Sequence, residues 1–260
     1  MRIAAFGDIH GNLAALEAVL ADLAVARPDR AVCLGDLAFR GPQPAECVAR
    51  IRGLGVPCVY GNTDQMLLAA VPGEWSARVP QACRYPEATL PWVRWHTARL
   101  APGDLTFLAA LPPEHRLEAD GLRLLFVHAT PWDCVTPIRA GEPLDAAAAG
   151  LAACGADVVV MGHVHCAFAF RVGALQLVNT GAVGFSQDGD GRAAYAVLDT
   201  AAGTIELRRV AYPRERAVEA ARAAGFCFPP EEYAAALHAG VWPDVPWAER
   251  RWARPLEPGG

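Results

Sequence analysis

Seven side chains that could bind metal ions lie on five short segments, and each segment follows a run of hydrophobic residues. They are Asp8, His10, Asp36, Asn62, His128, His163 and His165. Oxygen donors mixed with imidazole nitrogens suit two divalent cations better than a structural zinc ion, which prefers closed sites rich in thiolates. Two adjacent metal ions that share a carboxylate are a recurrent arrangement for hydrolysing phosphate esters. These residue types therefore predict an enzyme.

Two pairs of these ligands have the same close spacing. Asp8 and His10 are two residues apart after one apolar segment, so both side chains can turn toward one cation, and His163 and His165 repeat this arrangement. Asp36 carries two carboxylate oxygens and can bridge two ions. Because a histidine must be neutral to coordinate a metal, we expect metal binding to weaken as the pH falls toward about 6.

The first 60 residues alternate between short apolar segments and helical patterns. We predict strands at residues 3–6, 31–34 and 58–60, with helices at 13–26 and 44–54 between them. This order predicts a parallel core with right-handed crossover connections. The candidate ligands then follow the carboxyl ends of strands, where open α/β sheets place their binding sites.

The rest of the chain predicts a second sheet. Residues 71–102 are rich in proline and aromatic residues, and we expect a cap-like insertion there with one helix near residues 88–100. Strands are predicted at residues 115–118, 122–127, 157–161, 167–172, 175–179, 193–199 and 204–211, with a helix at 144–154. We therefore predict an α/β fold of two sheets packed face to face with flanking helices, followed by a helical extension and tail at residues 213–260.

Composition limits the function classes. The chain has 260 residues, of which 53% are hydrophobic and 20% charged, so it can bury a sizeable core. Its formal charge of −5 disfavours attraction to nucleic acid, which we expect only as a nucleotide-type substrate. Eight scattered cysteines, an opening strand without a signal-peptide pattern and the lack of a long apolar stretch predict a cytoplasmic protein without a membrane span.

The ordered motifs resemble those of the calcineurin-like metallophosphoesterase superfamily. They are Gly7-Asp8-Ile9-His10, Gly35-Asp36, Gly61-Asn62, the isolated His128, and Gly162-His163-Val164-His165. The resemblance implies a four-layer αββα sandwich of two mixed sheets, with residues 1–212 as the metallophosphoesterase domain. It also implies two divalent transition-metal ions, with manganese the first choice and iron, zinc, nickel or cobalt as alternatives.

The resemblance assigns the ligands to two ions. It implies that Asp8, His10, Asp36 and His165 bind one ion, and that Asp36, Asn62, His128 and His163 bind the other. A hydroxide that bridges the ions would attack phosphorus in line. Arg40 matches a phosphate-binding arginine of the protein-phosphatase branch and joins Asp36 and Asn62 as a predicted catalytic residue. The alternative is that Arg40 is an arginine in a surface turn without a role in binding phosphate.

Two positions depart from well-known branches of the superfamily. Phe39 stands where purple acid phosphatases have a tyrosine ligand, and where protein phosphatases and dinucleotide tetraphosphatases have an aspartate. Thr63 replaces the histidine that helps to protonate the leaving group in those last two. The chain thus resembles a branch of small bacterial and archaeal phosphodiesterases. Because a general acid contributes about 10²–10⁴-fold, we expect diesters, anhydrides or aryl esters to be preferred over alkyl monoesters.

Several predicted residue roles have open alternatives. Thr63 and Asp64 are predicted to contact substrate or water, or else to start a helix. Trp132 is predicted to stack on a base or aryl group, or else to lie in the core. His96 and two other histidines have no partner at ligand spacing, so a structural role is expected.

The predicted function is hydrolysis of a small phosphate ester. A phosphomonoesterase or phosphoprotein phosphatase is the nearest alternative, and a non-catalytic metal-binding scaffold on the same fold is the alternative of another class. A nuclease is disfavoured by the acidic charge balance, and a homo-oligomer is left open.

Overall fold

The computed structural model describes residues 1–84 and 89–241, which form nine strands and nine α-helices. The strands are β1 (Arg2–Phe6), β2 (Arg30–Cys33), β3 (Glu114–Ala119), β4 (Leu122–Val127), β5 (Val158–Met161), β6 (Ala167–Val172), β7 (Leu175–Thr180), β8 (Ala193–Asp199) and β9 (Thr204–Val210). The helices are α1 (Leu13–Ala26), α2 (Pro44–Leu54), α3 (Asn62–Ala69), α4 (Glu74–Arg78), α5 (Leu90–Thr97), α6 (Pro102–Ala110), α7 (Asp145–Ala153), α8 (Arg214–Ala223) and α9 (Pro230–Ala239).

The strands form two mixed sheets, as predicted. The first has four strands in the order β2-β1-β8-β9, with β1 parallel to β2 and the other pairs antiparallel. The second has five strands in the order β3-β4-β5-β7-β6, with a parallel centre of β4, β5 and β7 and an antiparallel strand at each edge. The predicted α/β class is confirmed.

Alternating side chains on the strands build the layers. Ile3 and Ala5 of β1 face the second sheet and pack with Leu124 of β4 in the core between the sheets. Phe6 faces the other way, into a cluster with α1, α2 and α3. On the outer side of the second sheet, Leu151 of α7 covers β4 and β5. Because side chains alternate along a strand, each sheet buries both faces, and the expected four-layer αββα order results.

The predicted strand at residues 58–60 is wrong. Only Cys58 pairs with β2, through a single bridge to Cys33. The backbone N–H of Tyr60 instead donates to Pro112 O at 3.0 Å, which draws the chain away from the sheet. The chain then enters α3, so the helix start that the sequence offered as the alternative for Thr63 and Asp64 is present.

The proline- and aromatic-rich segment contributes helices to the first layer. The helix predicted near residues 88–100 is α5, and Val93 of α5 lies in the same core cluster as Phe6 of β1. Helices α8 and α9 form a separate cluster with Phe185. Residues 242–260 of the predicted tail lie outside the described residues, and the proposed division at residue 212 stays a prediction. None of the described helices is long and apolar enough to cross a membrane.

Candidate metal centre

Six of the seven candidate ligands lie on loops at one end of the two sheets, and the seventh, Asn62, begins α3. Asp8 follows β1, Asp36 follows β2, His128 follows β4 and His163 follows β5. Hydrogen bonds join these loops directly, as where the backbone N–H of His10 donates to Asp36 O at 2.9 Å. The carboxyl ends of parallel strands therefore bring segments more than 100 residues apart to one place.

The backbone is strained around this centre. Eight non-glycine residues in the described part of the chain have a positive φ, and six of them are predicted site residues. These six are Asp8, His10, Asp36, Arg40, His163 and His165. The left-handed conformation costs an ordinary residue about 1–2 kcal/mol. Strain of this kind collects at functional sites, because the surrounding structure must hold it in place.

The first group of ligand atoms is compact and buried. His165 Nε2 lies 3.1 Å from Asp8 Oδ1 and 3.0 Å from His10 Nε2, and His10 Nε2 lies 3.5 Å from Asp36 Oδ2. One ligand atom from each of these four residues lies within 4.8 Å of the other three. Ligands at about 2.0–2.2 Å from one ion lie roughly 3.0–3.5 Å from each other, so these spacings fit a cation.

The second group meets the first at Asp36. Asn62 Oδ1 lies 3.0 Å from His128 Nε2 and 3.1 Å from His163 Nδ1. His128 Nε2 lies 3.6 Å from Asp36 Oδ2, the oxygen that also faces His10. The other carboxylate oxygen, Oδ1, accepts the backbone N–H of Thr63 at 2.9 Å. A single oxygen of Asp36 therefore faces both groups, although the sequence suggested that its two oxygens could bridge.

Backbone carbonyls orient all four imidazole rings. The contacts are His10 Nδ1 to Phe39 O at 3.0 Å, His128 Nδ1 to Leu34 O at 2.8 Å, His163 Nε2 to Val135 O at 3.0 Å, and His165 Nδ1 to Phe185 O at 2.6 Å. Each carbonyl requires a proton on the ring nitrogen that it faces, so in the neutral ring that metal binding requires, the other nitrogen carries only a lone pair. The lone pairs of His10 and His165 then face each other at 3.0 Å, which favours a cation between them.

The pKa shifts of the candidate ligands favour cation binding at the centre. Burial lowers the pKa of His10 to about 3 and that of His163 to about 4, so both imidazoles are neutral at pH 7. Burial opposes a charge on His128, but Asp36 and Asp8 outweigh it and raise its pKa above the usual value. Burial acts to raise the pKa of both aspartates, but the neighbouring imidazoles outweigh it and lower both. The centre thus holds two ionised carboxylates.

Asp64 supports the site from behind. Its side chain is buried, and its Oδ2 accepts the backbone N–H groups of Asp36 at 2.8 Å and Gly61 at 2.9 Å. Its Oδ1 accepts the N–H of Leu37 at 2.9 Å. Burial and the charge of Asp36 raise the pKa of Asp64 to about 7. This geometry favours a role in starting α3 and positioning Asp36 over the predicted contact with substrate.

Arg40 lies beside the first group of ligands. Its guanidinium carbon is 5.0 Å from the centre of the Phe185 ring, and that ring is 5.6 Å from the His10 ring and 5.7 Å from the His165 ring. Burial lowers the pKa of Arg40 to about 10, so it remains a cation at neutral pH. Its charge also helps to lower the pKa of His10. Phe185, which lies in a loop without a motif, was not predicted.

Trp132 is exposed on the loop that follows His128. The structure leaves 42% of this residue accessible, so the core alternative is wrong. Its ring covers Gly150 of α7, where any larger residue would overlap it. Stacking on a substrate stays a prediction for Trp132.

Two buried asparagines, which the sequence analysis did not single out, hold loops of the site in place. Asn179 Nδ2 donates to Gly162 O at 2.5 Å, and Asn179 Oδ1 accepts the N–H of Gly181 at 3.0 Å. Asn12 Nδ2 donates to Gly184 O at 3.1 Å. Asn12 stands two residues after His10 in the first motif, which was a usable signal, whereas nothing in the sequence singles out Asn179.

Two mixed sheets between layers of helices, with carboxylate, amide and imidazole donors gathered where the strands end, define a class of metal-dependent phosphoesterases. The family model described as the calcineurin-like phosphoesterase superfamily domain matches residues 1–203. The chain belongs to this family.

The chain is also similar to individual known proteins. The chain is 28% identical over 237 residues to an uncharacterised protein of Methanocaldococcus jannaschii, covering 84% of this chain and 90% of that one. It is 40% identical over 133 residues to a symmetrical bis(5'-nucleosyl)-tetraphosphatase of Paracidovorax citrulli, covering 50% of this chain and 44% of that one. A metallophosphoesterase structure from Sphaerobacter thermophilus has a TM-score of 0.74 and 28% identity, covering 93% of this chain and 99% of that one.

Proposed function

We propose that this protein is a dimetal-dependent phosphoesterase that hydrolyses phosphodiesters or activated phosphate esters and anhydrides. The observation that carries the proposal is the position of Asp36 Oδ2, 3.5 Å from His10 Nε2 and 3.6 Å from His128 Nε2. One carboxylate oxygen shared by two sets of ligands supports two cations side by side, with manganese as the first choice. When bound, such cations activate water and neutralise phosphate oxygens.

The exposure of the ligands indicates where the substrate enters. Asn62 and His163 are half-buried, whereas Asp8, His10 and Asp36 are buried. We therefore place the phosphoryl group over both ligand groups, between Asn62 and His163 on one side and Arg40, which is also half-buried, on the other.

Arg40 would bind the phosphoryl oxygens, because a guanidinium group offers paired donors to phosphate. In the reaction, water adds to phosphorus and the bond from phosphorus to the leaving-group oxygen breaks.

The residue after Asn62 supports the preference for good leaving groups. Thr63 occupies the position of the proton-donating histidine in other branches, and an alcohol is far too weak an acid for that task at neutral pH. Its Oγ1 is buried and has no hydrogen-bond partner among the described residues. The relative named as a bis(5'-nucleosyl)-tetraphosphatase makes phosphoanhydrides a second substrate class to test.

The test is a substrate panel with metal-reconstituted protein. It compares aryl diesters, dinucleotide polyphosphates, cyclic nucleotides, phosphopeptides and alkyl monoesters, with metal content measured in parallel. We expect alkyl monoesters to be about 10²–10⁴-fold slower than aryl diesters, because no general acid assists their departure. Equal rates on both would contradict the proposed preference and favour the phosphomonoesterase alternative.

Asp36→Asn is the decisive variant. It should lower kcat at least about 10²-fold and reduce the bound metal, because it removes the shared charge. Asp157→Asn is the matched control, since Asp157 precedes β5 at the opposite end from His163 and pairs with Arg123 at 2.8 Å. A wild-type protein that binds two ions and hydrolyses nothing would support the scaffold alternative, and one that binds no metal would overturn the proposal.

A further inference from the structure

Helix α5 places a buried histidine against the loop that carries Arg40. His96 Nε2 accepts the backbone N–H of Arg40 at 3.0 Å, and His96 Nδ1 donates to Trp92 O at 2.7 Å. The carbonyl of Trp92 requires the proton on Nδ1, so Nε2 presents a lone pair to the N–H of Arg40. This bond joins the helical segment to the predicted phosphate-binding loop across 56 positions.

The loop needs such a support. Arg40 has a φ of 83°, a backbone conformation that an arginine rarely adopts. The ring of the neighbouring Phe39 packs against His96 at a tilt of 56° with a centroid distance of 4.8 Å, while the Phe39 carbonyl oxygen accepts the Nδ1 proton of His10. His96 therefore contacts both Arg40, which is predicted to bind phosphate, and Phe39, whose carbonyl orients His10.

The surroundings keep this imidazole neutral. His96 is 1% exposed, and the rings of Trp95 and Phe226 lie 4.9 and 5.8 Å from its own ring. The charged group that acts on it is Arg99 on the same helix, which is a cation. Burial is the main cause that lowers the pKa of His96 to about 4; backbone hydrogen bonds to Trp92 and Gly41 oppose it, and the charge of Arg99 adds a smaller lowering. The acceptor is therefore available throughout the neutral range.

We propose that His96 is a positioning residue, which holds the backbone of Arg40 so that its guanidinium group meets the phosphoryl group of the substrate. This inference rests on the proposed function, in which Arg40 binds phosphate. His96 does not contact the ligand atoms themselves. Its effect should therefore appear in phosphate affinity and KM and leave metal content unchanged.

The experiment measures the Kd of inorganic phosphate by calorimetry on metal-loaded protein, together with KM, kcat and metal content. His96→Leu should raise Kd and KM about three- to tenfold, as expected for the loss of one hydrogen bond to a buried donor. His96→Gln keeps an acceptor oxygen and should restore part of the affinity. His238→Leu is the matched control, because His238 Nδ1 makes the same helical bond, to Ala234 O at 3.0 Å, but the residue is exposed.

A double variant separates positioning from general destabilisation. If His96 acts through Arg40, His96→Leu should have no further effect on phosphate affinity in an Arg40→Ala background. If the two substitutions raise the Kd of phosphate additively, the inference is overturned. It is also overturned if Arg40→Ala weakens phosphate binding while His96→Leu keeps the wild-type Kd. If Arg40→Ala itself binds phosphate normally, the proposed role of Arg40 fails and takes this inference with it. Should His96→Leu not fold, the same comparison with His96→Gln decides.

Discussion

Gly61 lies so close to Asp36 that adding a single methyl group there should displace Asp36 and disturb the metal centre. A Cβ atom at Gly61 would lie 2.6 Å from Asp36 N and 2.7 Å from Asp36 Cγ, and it would overlap Oδ1. Non-bonded carbon atoms approach to about 3.5–4.0 Å, so Asp36 would have to move by roughly 1 Å. Gly61 has a φ of −99° and a ψ of 172°, which alanine adopts without strain, so the effect is purely steric.

The size of the effect follows from this overlap. Forcing extra volume into a packed region typically costs about 1–3 kcal/mol of stability. A displacement of about 1 Å at a reacting group can cost roughly 10²-fold in rate. Because the oxygen of Asp36 that faces both ligand groups would move, Gly61→Ala should lose metal and lower kcat/KM about 10²-fold.

The assay combines urea denaturation, metal content and kcat/KM on an aryl phosphodiester. Gly53→Ala is the control, because a Cβ atom there meets nothing within 4 Å in α2. That variant should keep its activity and gain about 0.5–1 kcal/mol of stability, since alanine favours the helix. A Gly61→Ala protein with the wild-type metal content and rate would refute the claim that this spacing holds Asp36 in place.

Three further predictions concern pH, a buried amide and metal removal. The pKa of His96 is about 4 in the folded protein and about 6.5 in an unfolded chain. Only the unfolded chain therefore takes up this proton between pH 6.5 and 4, and the free energy of unfolding should fall by about 3 kcal/mol over that range. In His96→Leu, urea titrations at several pH values should lack this part of the slope, and an unchanged slope would contradict it. Asn179→Leu leaves Gly162 O and the N–H of Gly181 without partners, so urea denaturation should show a loss of about 2–5 kcal/mol; a loss below 1 kcal/mol would argue against it. Chelation should abolish activity and lower the Tm, because cations that bind only the folded state stabilise it. Manganese should restore both, and a Tm that chelation leaves unchanged would count against a metal centre.

The sequence predicted the architecture and which candidate ligands come together, because both depend on local signals. Short apolar runs such as Ile3 to Phe6 predict strands by their length and composition, and the side chains that follow them must lie at the strand ends. The predicted strand at residues 58–60 failed for the opposite reason. The N–H of Tyr60 bonds to Pro112 O, a partner that no local pattern reveals.

The sequence by itself determined which atoms could bind cations and in what order they occur along the chain. Only the tertiary structure decided that Asp36 presents one oxygen to both groups, that distant carbonyls such as Leu34 O orient the histidines, and that His96 holds Arg40. These contacts join residues between 26 and 94 positions apart. Their distances depend on how the two sheets and the helical layers pack against each other, which hydrophobic periodicity does not specify.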